Sequence, residues 1–350
     1  MPLRCTECEL AYTDKFRLRC DCGAPLIIEN EFTRSFEEIL ERDRQDMRRY
    51  SGFLPVDDQY APDLVPPMVP NVEKKIGGLK VVFKLEYMMP SGSFKDRGTY
   101  TTVAKLKEES IDEVSLDSSG NAAISLALYG KSEEIKTQIF IPEDIEEGKK
   151  RILKKLASEV HEISGTRMEV HERAIGFEDA RYVSHWYNPF FLEGTKISAY
   201  EISEIQKVDR VLVPTGSGTL FLGMHKGFSE LSSFGVVDKI PQMIAVEAKG
   251  YESLREISEK KSELSSGVEI IEPPRNDQMI GVLEETDGFS ISIDDDKIES
   301  AEEELLSMGF LVETTSAMAY AGFLDLLEKE EFDEEETVLI PLTGSGLKSV

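Results

Sequence analysis

At 350 residues the chain has the length for two domains that share a cleft and ample capacity to bury a core. With 67 acidic against 40 basic residues and a formal charge of -27, nucleic acid and anionic membranes are excluded as partners, because phosphate would be repelled over most of the surface. There is no run of about eighteen apolar residues and no apolar secretory core at the N-terminus, so a soluble, cytoplasmic protein is expected.

In chain order, the first feature is a pair of cysteine pairs. Cys5-Thr6-Glu7-Cys8 and Cys20-Asp21-Cys22-Gly23 contain all four cysteines of the chain. Each pair offers two thiolates from a turn, which is how a closed, structural four-cysteine zinc site is assembled. The second pair has a single intervening residue, where zinc ribbons usually have two. Residues 31–50, with Phe36, Ile39 and Leu40 among many charges, read as one amphipathic surface helix. The stretch 54–70 carries Pro55, Pro62, Pro66, Pro67 and Pro70 and reads as an extended connection.

The apolar run Val81, Val82, Phe83, Leu85 then leads into Pro90-Ser91-Gly92-Ser93-Phe94-Lys95-Asp96-Arg97-Gly98 and a helical pattern beyond it. Lys95 therefore sits at a strand-to-helix junction, where α/β enzymes place their chemistry, and is the candidate reactive group. Further short apolar runs alternate with helical patterns: Val114 to Leu116, Gln138 to Ile141, Val160 to Ile163, Val208 to Val213, Met243 to Val246 and Val338 to Leu342. Such alternation predicts parallel strands with crossover helices and ligands at the carboxyl ends of the strands.

Three of these junctions carry unusual loops. Ser118-Ser119-Gly120-Asn121 precedes an apolar helix and offers hydroxyls and helix-start amides to a carboxylate; it is also what a plain helix cap with a glycine turn looks like. Gly216-Ser217-Gly218-Thr219 follows Val211-Leu212-Val213 and suits one phosphate group, while lacking the Gly-Lys-Ser/Thr ending of a nucleoside-triphosphate loop. Thr343-Gly344-Ser345-Gly346 follows the last strand and offers neutral hydroxyls to a heteroaromatic nitrogen. The four histidines, His161, His171, His185 and His225, show no ligand spacing and read as surface or packing residues.

Taken together and in this order, these motifs, with Leu192-Glu193-Gly194-Thr195-Lys196 and Ala199-Tyr200-Glu201-Ile202, resemble the fold-type II enzymes of pyridoxal 5'-phosphate, and most of all the threonine synthases. The resemblance covers nearly the whole chain. It implies a fold of two open twisted-sheet α/β domains with a cysteine-rich, zinc-ribbon-like segment at residues 1–30. The larger domain would comprise residues 31–90 and 188–350, and a smaller mobile domain residues 91–187. It implies a homodimer acting on a small amino-acid substrate in threonine biosynthesis, turning O-phosphohomoserine and water into threonine and phosphate.

Carried onto this chain, the resemblance makes Lys95 the covalent anchor of the cofactor and the base that moves protons at the substrate carbons. Asn121 would hold the ring oxygen, Gly216, Ser217, Gly218 and Thr219 the cofactor phosphate, and Thr343 or Ser345 the pyridine nitrogen. Ser118, Ser119, Gly120 and Asn121 would bind the amino-acid carboxylate, with Lys196 and Arg97 as cations for an anionic tail. The departures fall mainly on the substrate side, though Gly216-Ser217-Gly218-Thr219-Leu220 also differs from the family's Gly-Asn-x-Gly-Asn cup. Phe191 stands where these enzymes carry an arginine that helps bind the substrate phosphate, and Thr195 replaces a glutamine. A dehydratase or β-replacement enzyme on threonine, serine or an activated serine therefore stays open, as does a non-catalytic ligand-binding protein.

Overall fold

Alternating buried runs and amphipathic stretches make short strands linked by helices, which sort into three sheets in the computed structural model. The structure describes residues 2–13, 16–264 and 267–348. The chain divides into two units: Met1–Pro67 and Met89–Thr195 with Lys348, and Met68–Met88 with Lys196–Leu347. Residues 1–30 and 91–187 both lie within the first unit.

In the first unit, Leu3–Cys5 pairs antiparallel with Ala11–Tyr12 on one side and Leu26–Ile28 on the other. Leu3, Cys5, Leu26 and Ile28 are buried while the residues between them are half-exposed, the period-2 pattern of a sheet covered on one face. The single amphipathic helix expected over 31–50 is replaced by two short pieces. One helical turn, Phe36–Ile39, is set by a capping box between Ser35 and Glu38, and Leu40 then turns extended at ψ 125°. The chain doubles back: the Glu41 amide donates to the Arg49 carbonyl at 2.9 Å, and the Arg49 guanidinium to the Arg42 carbonyl at 2.5 Å. A 3-10 segment, Met47–Phe53, follows, capped by Asp46. Hydrophobic spacing was right about the buried face and silent about this fold-back. Between Pro55 and Pro62 there is only one 3-10 turn, Asp58–Tyr60, as the prolines require.

The main sheet of this unit is parallel, in the spatial order Glu159–Ile163, Lys136–Pro142, Glu113–Leu116, Arg181–Tyr182. The chain starts at Glu113–Leu116, steps outward twice, then returns to its other side. That reversal creates a crevice at the carboxyl end of Glu113–Leu116, the position where open α/β sheets bind ligands.

The second unit holds a six-stranded sheet in the order Phe289–Ile293, Gln242–Ala248, Arg210–Pro214, Thr337–Pro341, Leu79–Lys84, Asn71–Ile76. Five strands are parallel, and their central members are apolar on both faces, as strands covered by helices must be. The exception is Asn71–Ile76, which forms an antiparallel hairpin with Leu79–Lys84 through Gly77 and Gly78, both at positive φ. Here the reversal of strand order falls between Arg210–Pro214 and Thr337–Pro341, so the loops at Gly216 and Thr343 leave the sheet at its switch point. Among the described residues no helix is long and apolar enough to cross a membrane.

Candidate active site

Lys95 is the first residue of the helix Lys95–Glu108, reached from the strand Leu79–Lys84 through a loop whose Gly92 has φ 78°. The loop is pinned from its neighbour: the Asp96 carboxylate accepts the Ser91 amide at 2.6 Å, the Ser91 hydroxyl at 2.5 Å and the Ser125 hydroxyl at 2.6 Å. Asp96 is fully buried, and desolvation raises its pKa above the usual carboxylate value even though the Ser125 and Ser91 donors and the charge of Lys348 oppose the rise. Lys95 itself is half-buried, its ammonium 4.1 Å from the centre of the Phe94 ring.

The same helix is locked from behind. A Cβ on Gly194 would lie 2.0 Å from the Arg97 carbonyl, and one on Gly98 would lie 2.4 Å from the Phe191 ring. Two helices thus cross at glycines, with Phe191, 3% exposed, filling the space beside Gly98. Asn188 starts the helix Pro189–Thr195 by accepting the Phe190 amide at 2.9 Å, and its side-chain amide donates to Thr102 at 2.9 Å. Phe191, which stands in the arginine's place, is therefore a packing residue under the Lys95 helix.

Ser118, Ser119 and Gly120 form the crevice loop after Glu113–Leu116, and the helix Asn121–Ser132 begins there without a side-chain cap. A helix start of this kind carries amide donors suited to a carboxylate. The Lys348 ammonium donates to Asn121 Oδ1 at 2.5 Å and to the Gly92 carbonyl at 2.8 Å, tying the lysine loop to the Asn121 loop within this unit. Lys348 lies two residues past the Thr343-Gly344-Ser345-Gly346 loop, and nothing in the sequence spacing assigned it this contact.

In the second unit, Gly218 adopts φ 74° and opens the helix Thr219–Ser233, again without a side-chain cap. The Ser217 and Thr219 hydroxyls are buried and 3.4 Å apart. Fifteen residues of helix dipole and two hydroxyls at one amide-rich turn make a cup for a dianion. From the adjacent strand, Thr343 places its hydroxyl 3.1 Å from that of Ser316, which also accepts the Gly344 amide at 3.0 Å, while Ser345 bridges to Val312. Lys196, expected to meet substrate, is fully buried and paired with Glu230 at 2.9 Å; Tyr200 donates to the same carboxylate at 2.6 Å.

The sequence profile described as pyridoxal-phosphate dependent enzyme matches residues 67–344. The chain belongs to that family. Among curated proteins it is similar to a threonine synthase of Methanocaldococcus jannaschii, 29% identical over 99% of this chain and 92% of that protein, and to one of Halalkalibacterium halodurans, 30% identical over 86% and 89%. Among solved structures it resembles a processed threonine deaminase from Solanum lycopersicum, with TM-score 0.71 and 20% identity over 92% of this chain and 95% of that one. A maize serine racemase matches with TM-score 0.70 and 20% identity over 80% and 89%. These two likenesses speak to the fold.

As a member of this family the chain carries two features that lie outside the matched loops. Asp117, buried at the end of its strand and next to Ser118, accepts the Tyr182 hydroxyl at 2.6 Å and pairs with His171 Nδ1 at 2.7 Å. Sequence spacing left His171 as a surface or packing residue; Tyr182 reaches Asp117 through the parallel pairing of Arg181–Tyr182 with Glu113–Leu116, and His171 through the helix Arg167–Ile175 packed on the sheet. The second feature precedes residue 67, where the family match begins. The four cysteine sulfurs lie within 4.8 Å of one another, with Cys5 to Cys22 at 3.5 Å and Cys8 to Cys20 at 3.4 Å. A tetrahedral zinc with bonds of about 2.3 Å needs sulfurs about 3.8 Å apart, so the donor set fits that ion. The amides of Glu7 and Cys8 both point at Cys5 Sγ at 3.4 Å. Burial pushes the Cys20 thiol up, but hydrogen bonds from Tyr12 and from Cys22 outweigh it and bring Cys20 down to about 6. The short spacing of the second pair is absorbed by Gly23 at φ 95°.

Proposed function

We propose that this chain is a pyridoxal-phosphate-dependent threonine synthase that converts O-phosphohomoserine and water to threonine and phosphate. The observation that carries the reading is the set of loops at the two switch points, each with the chemistry that one part of the cofactor needs, in a chain whose curated relatives over nearly its full length are threonine synthases. When bound, the cofactor supplies the electron sink that labilises bonds at the substrate's α and β carbons.

The chain's own residues do the rest. Lys95 anchors the cofactor and afterwards carries protons at the substrate carbons, with Asp96 and the Gly98–Gly194 crossing fixing where its amine can reach. The turn from Gly216 to Thr219 holds the cofactor phosphate by amides and hydroxyls. Asn121, oriented by Lys348, would hold the ring oxygen. Thr343 or Ser345 offers a neutral hydroxyl to the ring nitrogen, so that the ring is not fully protonated, which suits elimination and replacement chemistry. Ser118, Ser119 and Gly120, together with the uncapped start of the Asn121–Ser132 helix, receive the carboxylate. In this reading residues 91–187 are the mobile part, the enzyme is a cytoplasmic homodimer, and Cys5, Cys8, Cys20 and Cys22 hold a structural zinc.

The buried Phe191 favours a second reading with the same cofactor, since a phenylalanine offers a phosphate no donors. In that case the substrate is threonine, serine or an activated serine. The two separate by product: cofactor-loaded protein is given O-phosphohomoserine, threonine and O-acetylserine in turn. Threonine formed only from the first supports the synthase; 2-oxobutanoate formed from threonine, with no turnover of the first, transfers the assignment to the dehydratase.

A further inference from the structure

The two cysteine turns are built differently. In Cys5-Thr6-Glu7-Cys8, the Cys5 sulfur accepts two backbone amides, from Glu7 two residues on and from Cys8 three residues on, each at 3.4 Å. In Cys20-Asp21-Cys22-Gly23 the second ligand comes one residue earlier. The Cys22 amide, two residues on, still reaches the Cys20 sulfur, but the Gly23 amide, three residues on, donates to the Cys20 carbonyl at 2.9 Å. The shorter turn therefore withdraws from Cys20 the second backbone donor that Cys5 has. Outer hydrogen bonds to a ligating sulfur orient it and spread its charge, so a missing donor weakens the hold on the ion.

A replacement comes from the strand Ala11–Tyr12. The Tyr12 hydroxyl lies 2.9 Å from Cys20 Sγ, and its oxygen accepts the Asp21 amide at 3.0 Å. A ligating thiolate has no proton to give, so at this contact the hydroxyl donates and the sulfur accepts. Asp21 stands between the two ligands, and one hydroxyl thus both holds the short turn and supplies its sulfur with a donor. The ring is itself clamped. The Arg17 guanidinium lies 4.1 Å from the ring centre, pairs with the Asp21 carboxylate, and donates from Nε to the Arg19 carbonyl at 2.8 Å. Cys8 and Cys22 are exposed, whereas Cys20 is buried, so the Tyr12 contact lies on the protected side of the cluster.

We propose that Tyr12 is a positioning residue for the metal centre: its hydroxyl replaces the amide that the shorter turn withdraws, orients the Cys20 sulfur, and gives tight zinc binding at Cys-x-Cys spacing. The inference rests on the reading of the four cysteines as a zinc site. It is independent of the cofactor, and its test reads metal binding.

The test compares the full-length, zinc-loaded chain with Tyr12→Phe, which removes the hydroxyl and keeps the ring beneath Arg17. Under reducing conditions near neutral pH, zinc is drawn off by a chromogenic chelator of known affinity. The emptied site is then filled with cobalt(II) to record its sulfur-to-metal charge-transfer band. Tyr12→Phe is expected to raise the zinc Kd about tenfold. It should also move the cobalt band to lower energy, because a thiolate that loses a hydrogen bond gives up charge more readily; a loss of packing alone would leave the band in place. If Tyr12→Phe does not fold with zinc, Arg17→Met, which unclamps the ring, takes its place, with the Kd raised about threefold. The proposal alone is overturned if parent and variant both take up one zinc with the same Kd, or if the Tyr12→Phe band does not move. A parent that takes up no zinc overturns the zinc reading itself and this inference with it.

Discussion

Asp96 and Glu247 are both buried carboxylates held by hydroxyl and amide donors, yet the balance differs between them. Asp96 uses both oxygens, whereas Glu247 accepts the Ser253 and Leu254 amides and the Ser253 hydroxyl on Oε1 and leaves Oε2 without a partner. Desolvation raises the Glu247 pKa above 4.5, against those donors. A carboxyl whose folded pKa is raised contributes stability that is fully present below its unfolded pKa and lost as pH rises through the folded one. Glu247→Gln keeps the acceptor at Oε1 and removes the charge. Chemical unfolding should therefore show the variant matching the parent below pH 4.5 and exceeding it in stability at neutral pH. On the proposed reading, Asp117, held by His171 and Tyr182, is a positioning residue for the crevice loop. Steady-state kinetics of Asp117→Asn should show KM raised about tenfold, with kcat within about threefold of the parent, because what is lost is the fixed orientation of Ser118 and Ser119. A fall in kcat at unchanged KM would place Asp117 closer to the chemistry than the structure does.

At the scale of elements, the parts of the site that were legible in the sequence are those set by local backbone chemistry. A glycine turn between an apolar run and a helix is legible from the sequence, and at Gly216 to Thr219 the structure has a strand end, a left-handed Gly218 and a helix start. Gly218→Ala tests this: a side chain at φ 74° would also bring Cβ to 2.3 Å from Met279 Sδ. A loss of about 1–2 kcal/mol in stability, together with weaker cofactor retention on dialysis, is the expected result. What stayed hidden depends on contacts distant in sequence. The Asp117–His171 pair spans 54 positions and Lys348–Asn121 spans 227, and no local pattern encodes either. The strand Phe289–Ile293 was missed because the other strands were read from continuous apolar runs, whereas this edge strand carries the alternating Phe-Ser-Ile-Ser-Ile pattern, and the helix over 31–50 failed because its periodicity could not reveal the Arg49 fold-back. The cysteine segment was legible from composition alone. It rests on the rest of its unit through Phe16 stacked on Phe190 and through Asn30 donating to Glu193 at 2.7 Å. If the four cysteines hold the proposed zinc, chelation or Cys8→Ser should lower the midpoint of unfolding and loosen the neighbouring Pro189–Thr195 helix, seen as faster amide exchange there.

For the whole molecule, the acidic surface and the absence of a membrane-crossing helix among the described residues leave the chemistry to local sites built from backbone amides and a few buried cations. Each unit contributes a parallel sheet whose strand order reverses once, and in each the loops at that reversal carry motifs singled out in the sequence. The substrate question turns on Phe191, and the cofactor question on Lys95. The latter is answered most directly by reducing the cofactor-loaded protein with borohydride and mapping its tryptic peptides by mass. The account predicts the reduced cofactor's mass on the peptide that contains Lys95, and no covalent label in Lys95→Ala. A label on any other lysine, or none on the parent protein, would contradict it.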